Sequence, residues 1–182
     1  DNQDPYTQAE FDRKLTWLGE RFGALNADVL AVQEVWDEAA LKGALGRSGL
    51  RYDFVAVPGA ENTAAQGGAK GTHRVGIATR LKVDALQSFA EFPPGIQAEI
   101  PGLGSHTRFE RPPLVATLHM KHGQALNVLT AHLKSKRPKF LQDAQGNATE
   151  DRDDPKVMAL ASLRSLIMRG AEAMALRCLV ID

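Results

Sequence analysis

Three residues in this chain pair a chemically active side chain with a place at the end or the entry of an expected strand. Glu34 follows the run Val29-Leu30-Ala31-Val32 with only Gln33 between. Such a run reads as a strand buried on both faces, and ligand sites in α/β folds gather beyond the carboxyl ends of strands. A carboxylate there could hold a hard cation such as Mg²⁺ through oxygen. It could equally be a surface Glu accepting from a neighbouring loop. His132 closes the segment Leu126 to Ala131 and precedes Lys134, Lys136, Arg137 and Lys139. Its imidazole could take or give a proton near neutral pH, and the cations beside it would stabilise a phosphate. The plainer alternative is a strand end followed by a solvated basic loop. Arg111 lies in Phe109-Glu110-Arg111-Pro112-Pro113. A planar guanidinium suits a bidentate grip on phosphate, or a salt bridge to Glu110 or another surface acid.

Other chemistries find less support. Among His73, His106, His119 and His122, only the last two have metal-ligand spacing. They fall in an expected hairpin and not on a helix, which argues against a zinc cluster. The sequence holds no G-x-S-x-G elbow and no P-loop, and Gly67-Gly68 fits neither phosphate-loop pattern. Serine hydrolase and nucleotide triphosphatase readings lose their support. Trp17 and Trp36 are expected as core or loop anchors.

These residues need elements to position them. Thr7 and Glu10 form a capping-box pattern, after which Phe11, Leu15, Leu18, Phe22 and Leu25 recur at helical spacing. A short helix with Asp37 as cap and Leu41 and Leu45 facing inward follows the first strand. Further strands are expected at 52–57, 75–79, 83–89, 114–120 and 125–133, the last two joined around Lys121-His122-Gly123. Residues 59–72 and 90–110 read as long loops. Asp154-Pro155 opens a final helix, with Val157, Leu160, Ile167, Ala171, Met174 and Cys178 as its apolar face. Helices bracket a strand-rich middle, so the fold class is α/β, a sandwich of sheets covered by helices.

Composition narrows the class. The 182 residues suit one domain, with 22 basic and 22 acidic residues giving zero net charge. That balance argues against a protein that coats nucleic acid through many phosphate contacts. No apolar run approaches the ~18 residues needed to span a bilayer. The single Cys178 can form no internal disulfide and no thiolate metal site. It fits a reducing compartment as well as a secreted enzyme without disulfides, so the compartment stays open between cytoplasmic and secreted. Both ends read as cut: the start lacks Met, and the end stops inside an apolar pattern.

Four segments together carry a family resemblance. Ala27-Asp28-Val29-Leu30-Ala31-Val32-Gln33-Glu34-Val35 resembles the Q-E-V strand of the endonuclease/exonuclease/phosphatase superfamily, which includes deoxyribonuclease I. Arg74 to Arg80, Phe109 to Val115 and Thr130-Ala131-His132-Leu133-Lys134-Ser135 follow in the family's order. The resemblance implies a four-layer α/β sandwich of two packed mixed sheets, here a single partial domain over 1–182. It also implies metal-dependent cleavage of a phosphate ester. Glu34 is similar to the family's metal-binding glutamate, for Mg²⁺ or Mn²⁺. His132 is similar to the histidine near the scissile phosphate, and Arg111 to an arginine that contacts substrate phosphate, with Lys134 beside them. In some members an acid before the R-x-G-I-type strand orients that histidine; here His73 stands near that position. The family's first-strand Asn, its G-D-x-N segment and its final D-H pair have no counterpart in these residues. The expectation is therefore a large segment carrying part of the site, with the water-activating base outside it. The implied function is a phosphodiesterase or nuclease working by in-line attack of water. Its alternatives are a small-molecule or lipid-headgroup phosphatase of the same fold, and a non-catalytic binding module. The partner is a phosphate-ester substrate, with nucleic acid among the options and no membrane span.

Overall fold

The computed structural model describes residues 7–59 and 73–181. Of the long loop expected at 59–72, only Gly59 falls within the described residues. The chain divides into two compact units, Asp1–Ser88 with Leu114–Ala131, and Phe89–Pro113 with His132–Asp182.

In the first unit, α1 (Gln8–Leu25) starts at the expected capping box. Thr7 Oγ1 accepts from the Glu10 main-chain N–H, and Glu10 Oε2 accepts from the Thr7 N–H at 2.9 Å. It stops at Asn26, whose left-handed conformation lets its N–H reach the Phe22 carbonyl. Strand β1 (Val29–Val35) leads to α2 (Glu38–Gly46), which Asp37 caps by accepting from the Ala40 N–H. The two helices come close at Gly19, where a Cβ would lie 2.7 Å from Arg47 Cβ and 2.8 Å from the Ala44 carbonyl oxygen.

Strands β2 (Phe54–Ala56) and β3 (Arg74–Thr79) join β1 in an antiparallel sheet of order β1-β3-β2. The strand expected at 52–57 is thus shorter. A second antiparallel sheet, of order β4-β7-β8, contains β4 (Val83–Ser88), β7 (Leu114–His119) and β8 (Ala125–Thr130). The last of these ends before His132, earlier than expected. Successive side chains of a strand point to opposite faces, and β3 uses both. Val75 and Ile77 pack with Leu114, Ala116 and Leu118 of β7 between the sheets. Ala78 packs on the other side with Leu30, Leu41, Leu45 and Val57, under the helices. The unit has three layers: helices, sheet, sheet. Its strand pairs are antiparallel, where mixed sheets were expected.

The second unit holds a hairpin of β5 (Ala98–Ile100) and β6 (Gly104–His106) inside the segment expected as plain loop. Three-residue strands carrying a glycine leave almost no period-2 signal. Its core gathers Phe92, Phe109 and Ala175, the two rings meeting edge to face at 4.9 Å. Helix α3 (Pro155–Ile181) begins as expected, with Asp154 Oδ1 accepting from the Lys156 N–H. Its buried face differs from the expected one. Ala161, Arg164, Ser165, Met168, Glu172 and Ala175 are buried, while Leu160 and Met174 are exposed. The stripe is turned by about one residue, roughly 100°, because the helix buries two charged groups that find partners. Arg164 donates to both carboxylate oxygens of Glu150, at 2.7 and 3.0 Å, and through Nε to the Pro101 carbonyl. Among the described residues, no helix is long and apolar enough to cross a membrane.

Candidate functional site

Glu34 owes its place to a break in the β1–β3 ladder. Val32 pairs with Gly76 and Val35 with Arg74, so two residues of β1 oppose one of β3. Such a bulge bends the strand and re-aims a side chain. Glu34 sits in it at φ 57°, a left-handed conformation that costs a non-glycine residue about 1–3 kcal/mol and clusters at functional sites. Its side chain is exposed. Next to it, Gln33 Nε2 donates to the Ala131 carbonyl at 2.7 Å, tying the end of β1 to the chain leaving β8.

The same register brings His73 alongside. His73 precedes Arg74, the partner of Val35, and one of its ring nitrogens lies within 4.8 Å of a Glu34 carboxylate oxygen. The Trp36 ring packs on the His73 ring with centroids 5.6 Å apart and planes tilted by 59°. Trp36 is therefore no core anchor: it is 55% exposed and forms a wall beside His73. Trp17 is equally exposed, under the guanidinium of Arg21. A cavity of about 750 Å³ lies between α1, β1 and α2, walled by Phe11, Leu18, Phe22 and Trp36 with Lys14 and Glu34.

The second unit collects the other expected residues. Arg111 donates from Nε to the His132 carbonyl and from Nη2 to the Leu133 carbonyl, both at 2.8 Å. Through these two bonds the guanidinium holds main chain. Lys134 is buried, and Nζ lies 3.3 and 3.4 Å from the carbonyls of Ser135 and Arg137. Burial pushes its ammonium below the usual lysine range, with Glu110 opposing that shift. An inward-facing Lys134 departs from the solvated basic loop read from sequence. Beneath this segment lies Glu172, which accepts from the main-chain N–H groups of Glu110 and Lys134. Arg169 donates to the Lys134 carbonyl at 2.8 Å. One carboxylate on α3 therefore clamps the neighbours of both Arg111 and His132.

The remaining histidines do other things. His119 Nδ1 lies 3.3 Å from Asp84, whose carboxyl is held low chiefly by Lys82 and then by His119. His106 packs edge-on against Phe92, and burial pushes its imidazole below the usual range.

The structure thus brings Glu34 together with His73 in one unit, and Arg111, His132 and Lys134 together in the other. Sequence reading put His73 near the position of an orienting acid and not beside Glu34, and it did not single out Glu172. His73 carried a signal in standing one residue before a strand that pairs with the Glu34 strand. Glu172 carried none, because a mid-helix glutamate is ordinary until its partners are known.

No protein-family model matches the chain, and no curated protein does. Among solved structures, the chain is similar to an endonuclease/exonuclease/phosphatase family protein from Leptotrichia buccalis C-1013-b. The two share 17% identity at a TM-score of 0.44, over 70% of this chain and 51% of that one. The chain spans about half the length of that protein.

Proposed function

We propose that this protein is a divalent-metal-dependent phosphoester hydrolase, acting on a phosphodiester or nucleic acid by in-line attack of water. The observation that carries the reading is Glu34 itself, an exposed carboxylate held in a left-handed conformation within a bulge at the carboxyl end of a strand. The four segments that resemble the endonuclease/exonuclease/phosphatase pattern support the same assignment.

In this reading Glu34 holds Mg²⁺ or Mn²⁺, with an oxygen donor suited to either. Held there, such an ion would supply Lewis-acid polarisation of a phosphoryl oxygen and charge stabilisation at the leaving oxygen. His132 hydrogen-bonds the phosphoryl group or moves a proton near neutral pH. Arg111 sets the main chain of His132 through its two hydrogen bonds. A direct contact between Arg111 and phosphate is not required for that role. Lys134 contributes by keeping the segment after His132 folded onto its own carbonyls.

A second reading is a phosphatase for a small ester with an apolar body, and the cavity favours it. Aromatic walls beside Glu34 suit an apolar substituent better than a polyanion.

The test compares bis(4-nitrophenyl) phosphate with 4-nitrophenyl phosphate, with Mn²⁺ and with chelator, for the full-length protein and Glu34→Gln. Metal-dependent turnover lost in Glu34→Gln supports hydrolysis, and the diester-to-monoester ratio separates the two readings. Absence of turnover from a folded, metal-loaded sample would favour the binding-module alternative.

A further inference from the structure

We propose that His73 is a ligand to the cation that Glu34 holds, which makes the site a mixed carboxylate–imidazole one. The inference rests on the reading of Glu34 above and adds a residue and a metal preference to it.

Three features of the first unit point the same way. The antiparallel register carries the start of β3 to the end of β1, with Arg74 opposite Val35, so residue 73 falls beside the bulge. The bulge re-aims Glu34, whose positive φ has no use in a plain edge strand. The result is an imidazole nitrogen and a carboxylate oxygen within 4.8 Å. Two ligands on one ion, with bonds of about 2.1 Å each, lie at most about 4.2 Å apart. Against the 4.8 Å limit, at most about 0.6 Å is left for a Glu34 side-chain torsion to close, and Trp36 packs on one side of the His73 ring.

The donor set has a chemical consequence. Mg²⁺ takes oxygen ligands and keeps its waters. Imidazole nitrogen is better matched by Co²⁺, Ni²⁺ or Zn²⁺, whereas Mn²⁺ sides with the oxygen-preferring ions. The site should therefore prefer a first-row transition ion to Mg²⁺, and His73 should set that preference.

The experiment measures binding of the metal alone to the full chain, by calorimetry with Zn²⁺, Co²⁺ and Mg²⁺. It includes His73→Ala, His73→Asp and Glu34→Ala, with His119→Ala as a control for adventitious histidine binding. Imidazole nitrogen resonances followed by NMR during addition of diamagnetic Zn²⁺ give a readout on the unsubstituted chain, which serves if a variant fails to fold. The expected result is a coordination shift of one His73 ring nitrogen and a loss of roughly tenfold or more in Zn²⁺ and Co²⁺ affinity in His73→Ala. Mg²⁺ affinity should change little, and His73→Asp should move the preference toward Mg²⁺. If Glu34→Ala abolishes binding while His73→Ala leaves Zn²⁺ and Co²⁺ affinity unchanged, the role of His73 is overturned and that of Glu34 survives. If neither variant alters binding, both are overturned.

Discussion

The guanidinium of Arg111 spans two consecutive carbonyls, those of His132 and Leu133, with a 2.8 Å hydrogen bond to each. This fork fixes the main chain at the point where the chain leaves β8 and the candidate catalytic imidazole begins. A lysine has one compact ammonium in place of a rigid planar fork and cannot reproduce both bonds. Arg111→Lys should cost about 1–3 kcal/mol of stability and lower turnover of the diester probe with little change in KM. Urea unfolding and steady-state kinetics check both outcomes.

Glu172 receives two main-chain N–H groups, from Glu110 and Lys134, and is almost fully buried. Removing an acceptor from buried donors costs more than the hydrogen bonds contributed. Glu172→Ala should lose about 3 kcal/mol, and Glu172→Gln less, because one oxygen acceptor remains. Chemical denaturation of the two variants beside the parent gives the ranking; equal stability of all three would remove the clamp from the account.

Arg164 first, and then the Leu141 main-chain N–H, hold the Glu150 carboxyl below the usual carboxylate range. A group whose folded pKa is depressed contributes stability that is fully present above its unfolded pKa, about 4.3. That contribution is lost as pH falls through the lower folded value. The unfolding midpoint of Glu150→Gln should therefore lie below that of the parent by a constant margin from pH 7 to pH 5. The margin should close in more acidic buffer. A gap that stays unchanged at low pH would mean that packing, and not ionisation, separates the two proteins.

The phase of α3 makes a prediction that the sequence pattern would reverse. Met168 is 5% exposed, whereas Ile167 is only half-buried. Met168→Ala should cost about 2–5 kcal/mol, the range for a buried aliphatic truncation. Ile167→Ala should cost clearly less. Thermal unfolding of the pair decides between the two phases of the helix.

Gly19 tests the contact between α1 and α2. Added at this position, a Cβ meets the Ala44 carbonyl oxygen at 2.8 Å and Arg47 Cβ at 2.7 Å. Alanine would ordinarily favour a helix by about 1 kcal/mol over glycine. Here Gly19→Ala should instead destabilise, by about 1–3 kcal/mol from overpacking. A gain in urea midpoint would show that the helices part easily.

The chain's local chemistry was legible in the amino acids alone. The caps at Thr7, Asp37 and Asp154 are contacts made within four residues, and the side chains that make them are rare elsewhere in helices. The strands before Glu34 and His132 also declared themselves, the first as the continuous apolar run Val29 to Val32 and the second as Leu126 to Ala131, where Asn127 and Thr130 alone interrupt the apolar residues. What tertiary structure decided were relations between distant residues. The one-residue bulge that turns Glu34 toward His73 depends on how β1 and β3 register, which no run of residues encodes by itself. The hairpin at β5 and β6 is too short to show a period. The buried face of α3 was misread because hydrophobicity was taken as the guide to burial. Arg164 and Glu172 are buried because carboxylates, carbonyls and N–H groups far away in sequence satisfy them. A charged side chain can enter a core only where such partners wait, and their arrival is a property of the folded chain.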